Sequence, residues 1–273
     1  MAHEAQARYS HLVDAKLRAT LVKKDGVVFN TRHEGTPTAG VVKIPVRDTE
    51  VQVGDYSKAN GAAATHGDTA YIDLILDKDK SINEIIDGYD AASVPDGLVA
   101  DRLDSGAYSL GLQLDKDGTD CLEAAATPFG GADELTAENI YSKLVDFRTQ
   151  MSKAKVPNDG RRFALVSPDA YGLILKSPEF TKASALGDAV VQTGAQGKIA
   201  GFLVIEDSTL SETTDFICGH PDWCSRVKEW QVPVKLQDLA GSGKYIGASA
   251  VQGRQIYGHK VTKASTLLIK KNA

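Results

Sequence analysis

The sequence predicts an α+β fold, and three stretches carry that prediction. Residues 156–210 read as a strand, a turn, a helix, a polar linker and a second strand; residues 40–76 read as two alternating strands joined by a long polar loop; residues 93–125 read as one long amphipathic helix. No internal repeat is evident. At 273 residues, 42% hydrophobic and 25% charged, the chain can fill one large or two modest cores.

Taken in order, residues 2–22 have the spacing of an amphipathic helix. Tyr9, Leu12, Val13, Leu17 and Leu21 recur at helical intervals with Arg8, Lys16 and Arg18 between them, and Gly26 ends the pattern. Such a helix either docks on its own core or reaches outward. Residues 40–76 alternate with a period of two. Val42, Ile44 and Val46 share one face, Val51 and Val53 continue the alternation, and Ile72, Leu74 and Leu76 repeat it on a second strand. Between the arms lies Gly54–Asp68, small and polar with three glycines, a length of loop that is uncommon in a compact domain unless it has a use.

Ser93 has the placement of an N-cap, with Asp96 in the first turn where the helix dipole favours a carboxylate. Val99, Leu103, Ala107, Leu110, Leu114, Cys121 and Ala125 then form one face of a long helix whose other face is acidic. Gly106, Gly111 and Gly118 each cost about 1 kcal/mol against alanine, so a kink or break is expected near Asp117 and Gly118. A further helix starts at Thr136, with Leu135 stapled to Ile140 and Leu144, Phe147 and Met151 completing the stripe.

Phe163–Val166 is a short buried strand that stops at Ser167 and Pro168, where a serine N-cap and a proline at the first helical position start a helix. That helix carries Tyr171, Leu173, Ile174 and Leu175 and ends near Pro178. After Gly197 and Gly201 comes the apolar strand ending at Ile205. Further strands are expected at Phe216–Cys218, Val227–Val234, Tyr245–Val251, Gln255–Val261 and Leu267–Ile269.

Charge is unevenly spread. The net charge of -5 argues against general nucleic-acid binding. Residues 85–140 hold twelve acidic residues against two basic ones, a local charge of -10, whereas residues 254–273 hold five basic residues and no acid. This is either solvated surface charge or complementarity between copies of the chain. No stretch approaches the roughly 20 apolar residues of a membrane span. The N-terminus lacks the apolar core of a secretory signal, and the chain is expected to work where it is made.

Candidate chemistry is weak. Ser167 sits at a strand-to-helix turn but lacks the G-x-S-x-G surroundings of a nucleophile elbow, so an N-cap role is favoured. Ser152 with Lys155 and Ser225 with Lys228 match S-x-x-K without the accompanying motifs. Cys121, Cys218 and Cys224 form no C-x-x-C pair, and in Cys218-Gly-His220-Pro-Asp-Trp-Cys224 a turn with two buried thiols is favoured over a metal site. The six histidines show no ligand pair. Gly241-Ser-Gly243-Lys244 lacks the upstream glycine and the hydroxyl residue of a phosphate-binding loop. No cofactor is expected.

The order strand, Ser-Pro, helix, long polar linker and second strand over Val156–Leu210 resembles the axial domain of major capsid proteins of tailed bacteriophages, the HK97-like fold. The resemblance implies an N-terminal arm at residues 1–35, an extended E-loop hairpin at 36–80, a peripheral domain with its spine helix at 81–130, an axial domain at 131–225 and return strands at 226–273. It implies a structural protein, not an enzyme, that self-assembles as hexamers and pentamers into an icosahedral head in the virion. Portal and scaffolding proteins, packaged double-stranded DNA and a decoration protein are the implied partners, with no membrane. No long N-terminal scaffolding segment is evident, so scaffold is a separate protein, a removed extension or unnecessary. The residues implied at contacts between subunits are Tyr9, Leu12, Arg18, Arg47, Tyr56, Lys58, Asn60, His66, Arg102, Arg161 and Arg162. Lys58 and Asn60 at the hairpin tip invite comparison with relatives that cross-link lysine to asparagine. The rival readings are an encapsulin-like compartment, a tail or decoration protein, and a cytosolic hydrolase using Ser167.

Overall fold

The structure, a computed structural model, describes residues 16–33, 40–47, 50–51, 53–59, 61, 67–93, 97–131, 133–177 and 197–272. Its elements are β1 (Val41–Val46), β2 (Ala70–Ile75), β3 (Lys78–Ile86), α1 (Gly88–Ser93), α2 (Leu98–Ala125), β4 (Thr127–Pro128), α3 (Ile140–Lys153), β5 (Phe163–Val166), α4 (Pro168–Lys176), β6 (Lys198–Ile199), β7 (Phe202–Glu206), β8 (Thr214–Gly219), β9 (Cys224–Asp238), β10 (Ser249–Val261) and β11 (Leu268–Lys271). Among the described residues they form a six-stranded sheet in the order β4-β11-β8-β5-β7-β6, a three-stranded sheet β3-β10-β9, and the hairpin β1-β2.

The mixed sheet is built around β5, which pairs in parallel with β7 and antiparallel with β8. All four residues of β5 are buried because both faces of the sheet are covered, which is why this strand reads as a continuous apolar run without alternation. Ala164 and Val166 face one core with Leu144, Phe147 and Met151 of α3 and Ile174 of α4. Phe163 and Leu165 face the other, with Val28, Phe29 and Leu122. Ser167 caps α4 as its sequence predicts, its side chain accepting from the Ala170 N–H at 3.3 Å. Leu135 packs in the same core as Ile140, while Thr136 and Asn139 exchange hydrogen bonds ahead of α3.

Several expectations are corrected. The described part of the N-terminal segment, residues 16–24, forms no helix. Its apolar residues do not share a face: Val22 is buried, whereas Leu17 is fully exposed. Ser93 closes the short helix α1 and does not cap the long one, which starts at Leu98 after Gly97 in the left-handed region at φ 72°. Nor does α2 break at Gly118; it is one helix of 28 residues. The glycine is there for close approach, since a Cβ would lie 3.0 Å from the Phe29 ring and 3.3 Å from Arg226.

The strands expected at Tyr245–Val251 and Gln255–Val261 are one strand, β10, with a register shift around Gly253. Of the strands that follow Leu210, β9 and β10 pair with each other, but β8 and β11 belong to the six-stranded sheet.

The hairpin keeps its predicted alternation. Ile44 and Leu74 turn inward onto Val227 with Val42 and Leu76 beside them, while Tyr71, Asp73 and Ile75 are exposed. This small cluster fastens the hairpin to the body. β2 also lies flat on β10 at Gly258, where a Cβ would fall on the Ile75 carbonyl oxygen and near Leu74. Gly258→Ala therefore lifts the hairpin base at a cost of about 1–3 kcal/mol. Urea unfolding and limited proteolysis of residues 40–76 check this; unchanged stability together with unchanged cleavage would contradict the packing described.

Candidate inter-subunit surfaces

What the chain offers a neighbour depends on what it has already used internally, and the largest internal commitment is an N-terminal strap. From Lys16 to Val22 the extended backbone runs along α2. Lys16 pairs with Asp101 at 2.7 Å, Arg18 with Asp104 at 2.6 Å, the Ala19 carbonyl accepts from the Tyr108 hydroxyl at 3.1 Å, and the Val22 N–H donates to Asp115 at 2.9 Å. Arg18 also lies over the Tyr108 ring, 4.9 Å from its centroid. The helix positions used are separated by three, four and seven residues, so they share one stripe. From Asp101 to Asp115 that stripe advances about 21 Å at 1.5 Å per residue. Six extended steps cover about 20 Å, so strap and stripe stay in register.

The strap then enters the core. Lys23 is buried and donates to Asp207, just after β7, and to the Thr209 hydroxyl at 2.7 Å. Thr119 of α2 meets the same hydroxyl at 2.9 Å. This places one buried ion pair where strap, spine helix and six-stranded sheet converge. Next to it Arg226 of β9 donates to the Lys23 carbonyl at 2.9 Å and Asp25 at 3.1 Å, and its Nε donates to His259 Nε2 at 2.9 Å. His259 is therefore a neutral acceptor with its proton on Nδ1. Burial, then the charge of Arg226, pushes its ring down to about 3. Tyr257 donates to Asp117 at 2.7 Å, and burial followed by that carboxylate raises the phenol. Asn30 closes the strap: its side-chain NH2 donates to the carbonyls of Pro221 (2.7 Å), Asp222 (3.1 Å) and Cys224 (3.0 Å), which share its two hydrogens.

The acidic helix face is thus largely used within the subunit: Asp101 and Asp104 hold the strap, Asp115 caps its N–H groups, and Asp117 is buried. Arg102 forms a two-pronged pair with Glu84 at 2.8 and 2.7 Å, and Arg254 pairs with Asp79.

Of the contact residues expected from sequence, Tyr9, Leu12, Asn60 and His66 lie outside the described residues. Arg18 and Arg102 are engaged inside the chain, as above. Arg161 bridges Asp159 at 2.8 Å and Asp222 at 2.7 Å while remaining half-exposed. Arg162 is a correction: it is buried, donating to the Pro157 and Val156 carbonyls and the Ser152 hydroxyl, because it ties the end of α3 to β5. Arg47, Tyr56 and Lys58 are exposed.

The motifs set aside in sequence have structural uses. His220 caps a 3-10 turn at Pro221–Trp223 and meets Asp159 at 3.0 Å, between two buried thiols that burial raises. Ser152 is an acceptor for Arg162. Ala240–Ser242 and Gly243 turn the chain between β9 and β10.

Unburied apolar side chains mark what remains for neighbours. Val53 is fully exposed, Val51 89% and Tyr56 74% exposed, all on the hairpin beyond its base. A second group, Ile85, Tyr89, Leu236 and Ile246, is exposed at the end of the three-stranded sheet where Gly88 meets Gly247. Isolated apolar residues are ordinary on a surface, but three exposed within six residues of a projecting hairpin are a mark of association.

A projecting hairpin, a long helix under a three-stranded sheet and a compact mixed sheet define the HK97-like fold of capsid shells. A family model described as phage capsid protein matches residues 81–232, more than half of the chain, and the chain belongs to that family. Its fold is similar to a solved chain of Mycobacterium phage Che8 (22% identity, 97% of this chain and 96% of that chain covered, TM-score 0.80). It is also similar to the capsid of cyanophage P-SCSP1u (12%, 98% and 93%, 0.77) and to the mature capsid of bacteriophage PhiM1 (12%, 98% and 92%, 0.75). No curated protein matches the chain in sequence. The protein is a major capsid protein of the virion, and the compartment, tail and hydrolase readings are not favoured. No helix among the described residues is long and apolar enough to cross a membrane.

Lys23→Met leaves Asp207 buried without its cation and should destabilise the subunit by about 3–5 kcal/mol, whereas Lys23→Met with Asp207→Leu recovers most of the loss. Urea midpoints of the three proteins check this; a single variant as stable as the parent would show that the pair does not hold the strap. His259 gives a pH dependence. From its ordinary 6.5 down to about 3 the unfolded chain carries a proton on this ring that the folded chain refuses. Stability therefore falls as pH falls through that window, by up to about 1.4 kcal/mol per pH unit. His259→Gln should flatten the slope between pH 6 and 4 in urea titrations, and parallel slopes would remove His259 as the cause.

Proposed function

We propose that copies of this chain associate as hexamers and pentamers into the closed icosahedral head that encloses the phage genome. The observation that carries this reading is the hairpin, whose apolar side chains beyond Ile44 and Leu74 contact no core of their own. A subunit that displays such a strand pair is completed by another subunit. Closed symmetry then repeats a modest contact many times, so each interface need supply only a small part of the shell's stability.

On this reading residues 1–35 act as the arm, 36–80 as the extended loop, 81–130 as the peripheral part with α2 as its spine, 131–225 as the axial part, and 226–273 mainly as return strands. Arg47, Tyr56 and Lys58 are the described contact residues that remain available, and Arg161, though paired with Asp159 and Asp222, is half-exposed. The role is structural and not catalytic: Ser167 acts as a cap, and the buried charged groups serve packing. Double-stranded DNA lies against the inner face, and portal, scaffolding and decoration proteins are the further partners.

Size-exclusion chromatography with negative-stain electron microscopy tests the reading. Closed shells of megadalton mass are expected. Val53→Asp with Tyr56→Asp should abolish them while leaving the subunit's circular dichroism and urea midpoint unchanged, because these side chains support nothing in their own chain. Shells of normal yield from that variant would overturn the role of the hairpin, and an unmodified chain that never assembles would overturn the container.

A further inference from the structure

The six-stranded sheet and the helices on it carry opposite charge at their two ends. α3 leads away from Glu134 and Glu138 and finishes at Lys153, with Lys155 just beyond. β5 begins after Arg162 and leads to Asp169, and β7, parallel to it, begins after Lys198 and finishes at Glu206. The 14 residues of α3 alone put about 21 Å between the ends. Groups at one end therefore cannot reach those at the other within one chain.

At the basic end Arg148, Lys153, Lys155 and Lys198 are exposed and form no ion pair among the described residues. A Cβ built at Gly160 would lie 3.2 Å from Lys198 Nζ, and one at Gly201 would lie 3.5 Å from Arg148 Nε, so helix end, loop and strand start bring these cations together. Buried Arg162 donates to the Arg148 carbonyl at 3.4 Å and adds its charge from beneath. The described carboxylates nearby are Asp159, already engaged by Arg161 and His220, and Asp146, which pairs with none of the four. Residues 178–196, which lead into this end and lie outside the described residues, contain two acids, Glu179 and Asp188, too few to neutralise four cations. Lys155 supplies an independent sign. It sits at φ 60°, in the left-handed region where glycine is less strained, so its side chain has a use that offsets the strain.

At the other end an open cleft of about 340 Å³ is lined by Glu134, Asp169 and Asp215. Glu134 and Asp169 are exposed with no ion pair among the described residues, and Asp215 faces Lys270 at 3.7 Å. Lys271, next on the strand, turns to a separate cleft beside Phe129. The residues adjoining the acidic cleft in the chain but outside the described residues, 132 and 273, are alanines. We propose that the basic end of one copy docks on this acidic cleft of a second copy, head to tail, an assignment that rests on the shell reading above. A contact between two unlike surfaces repeats around an axis until the ring closes, so it joins the subunits within each hexamer and pentamer. Charge pairs of this kind set orientation and reject wrong arrangements more than they add affinity. Double-stranded DNA fits less well, because it would engage the cations alone and leave the matching acidic end without a role.

Two experiments on the full chain decide the matter. A carbodiimide joins a lysine directly to a carboxylate where the two touch, and it is applied to shells assembled from equal amounts of light and heavy isotope chains. Mixed-isotope links from Lys153, Lys155 or Lys198 to Glu134 or Asp169 are expected; links from these lysines only within single chains, only to other carboxylates, or none at all would overturn the proposal. In parallel, Lys153→Gln with Lys155→Gly removes two cations and relieves the left-handed backbone. The urea midpoint should stay level or rise while shell yield at low salt falls about tenfold. Full yield from this variant, or a loss of yield seen only when DNA is present, would count against the contact and overturn it. An unmodified chain that forms no shells overturns the container reading and this contact together, whereas shells that form without these links overturn the contact alone.

Discussion

The arrangement depends on one buried ion pair. Lys23 and Asp207 have no access to water, and such a pair is tolerated only where the surrounding geometry satisfies both charges. Here it is satisfied by Thr209, by Thr119 of α2 and by the Arg226 cluster that holds the Lys23 carbonyl. Strap, helix and both larger sheets therefore meet at a point where no member can move alone. The energetic yield of such a pair over an apolar substitute is small, but its directional demands are large. It fixes where the N-terminal segment enters the body.

Around that point the subunit sorts its charges into two uses. Carboxylates on α2 are spent on the strap in a series whose spacing matches an extended chain against a helical stripe. Asp79 pairs with Arg254 across the three-stranded sheet, and Glu84 of that sheet pairs with Arg102 of α2. What is left exposed includes apolar side chains on the hairpin and at the end of the three-stranded sheet, and acidic ones at Asp90, Asp120, Glu134 and Glu138. Burying the first kind of surface gives an association its driving force, whereas pairing the second gives it orientation. The chain thus offers a neighbour the hairpin and the exposed end of the three-stranded sheet, and the helix surface that looks most charged in sequence is largely neutralised from within.

The outline of the fold was legible because it follows from local chemistry. The Ser167-Pro168 start, the four apolar residues of β5, the alternation of Ile44 and Leu74 and the stripe from Ile140 to Met151 depend on side chains a few residues apart, and each lies where its pattern put it. The same locality explains the errors. Glycine at 118 reads as a weak point in a helix because the reason for it, the Phe29 ring, is 89 positions away in the chain. Leu17 and Leu21 read as one helical face, yet an extended strap places Leu17 in solvent and Leu21 on Gly111. Arg162 beside Arg161 reads as a second surface cation, and only the fold reveals that it is enclosed by the end of α3.

By itself, the sequence determined the class of the fold, the projecting hairpin, the long helix and the absence of a recognisable catalytic motif, since periodicity, caps and turn residues act over a few bonds. The tertiary structure decided which charges are available to another molecule. That depends largely on pairings between residues far apart in the chain, such as Lys16 with Asp101, 85 positions on, and Arg226 with Asp25, 201 positions back. A charge already paired in its own subunit and one awaiting a neighbour are the same letter in a sequence. Burial and distance distinguish them, and both are properties of the folded chain alone.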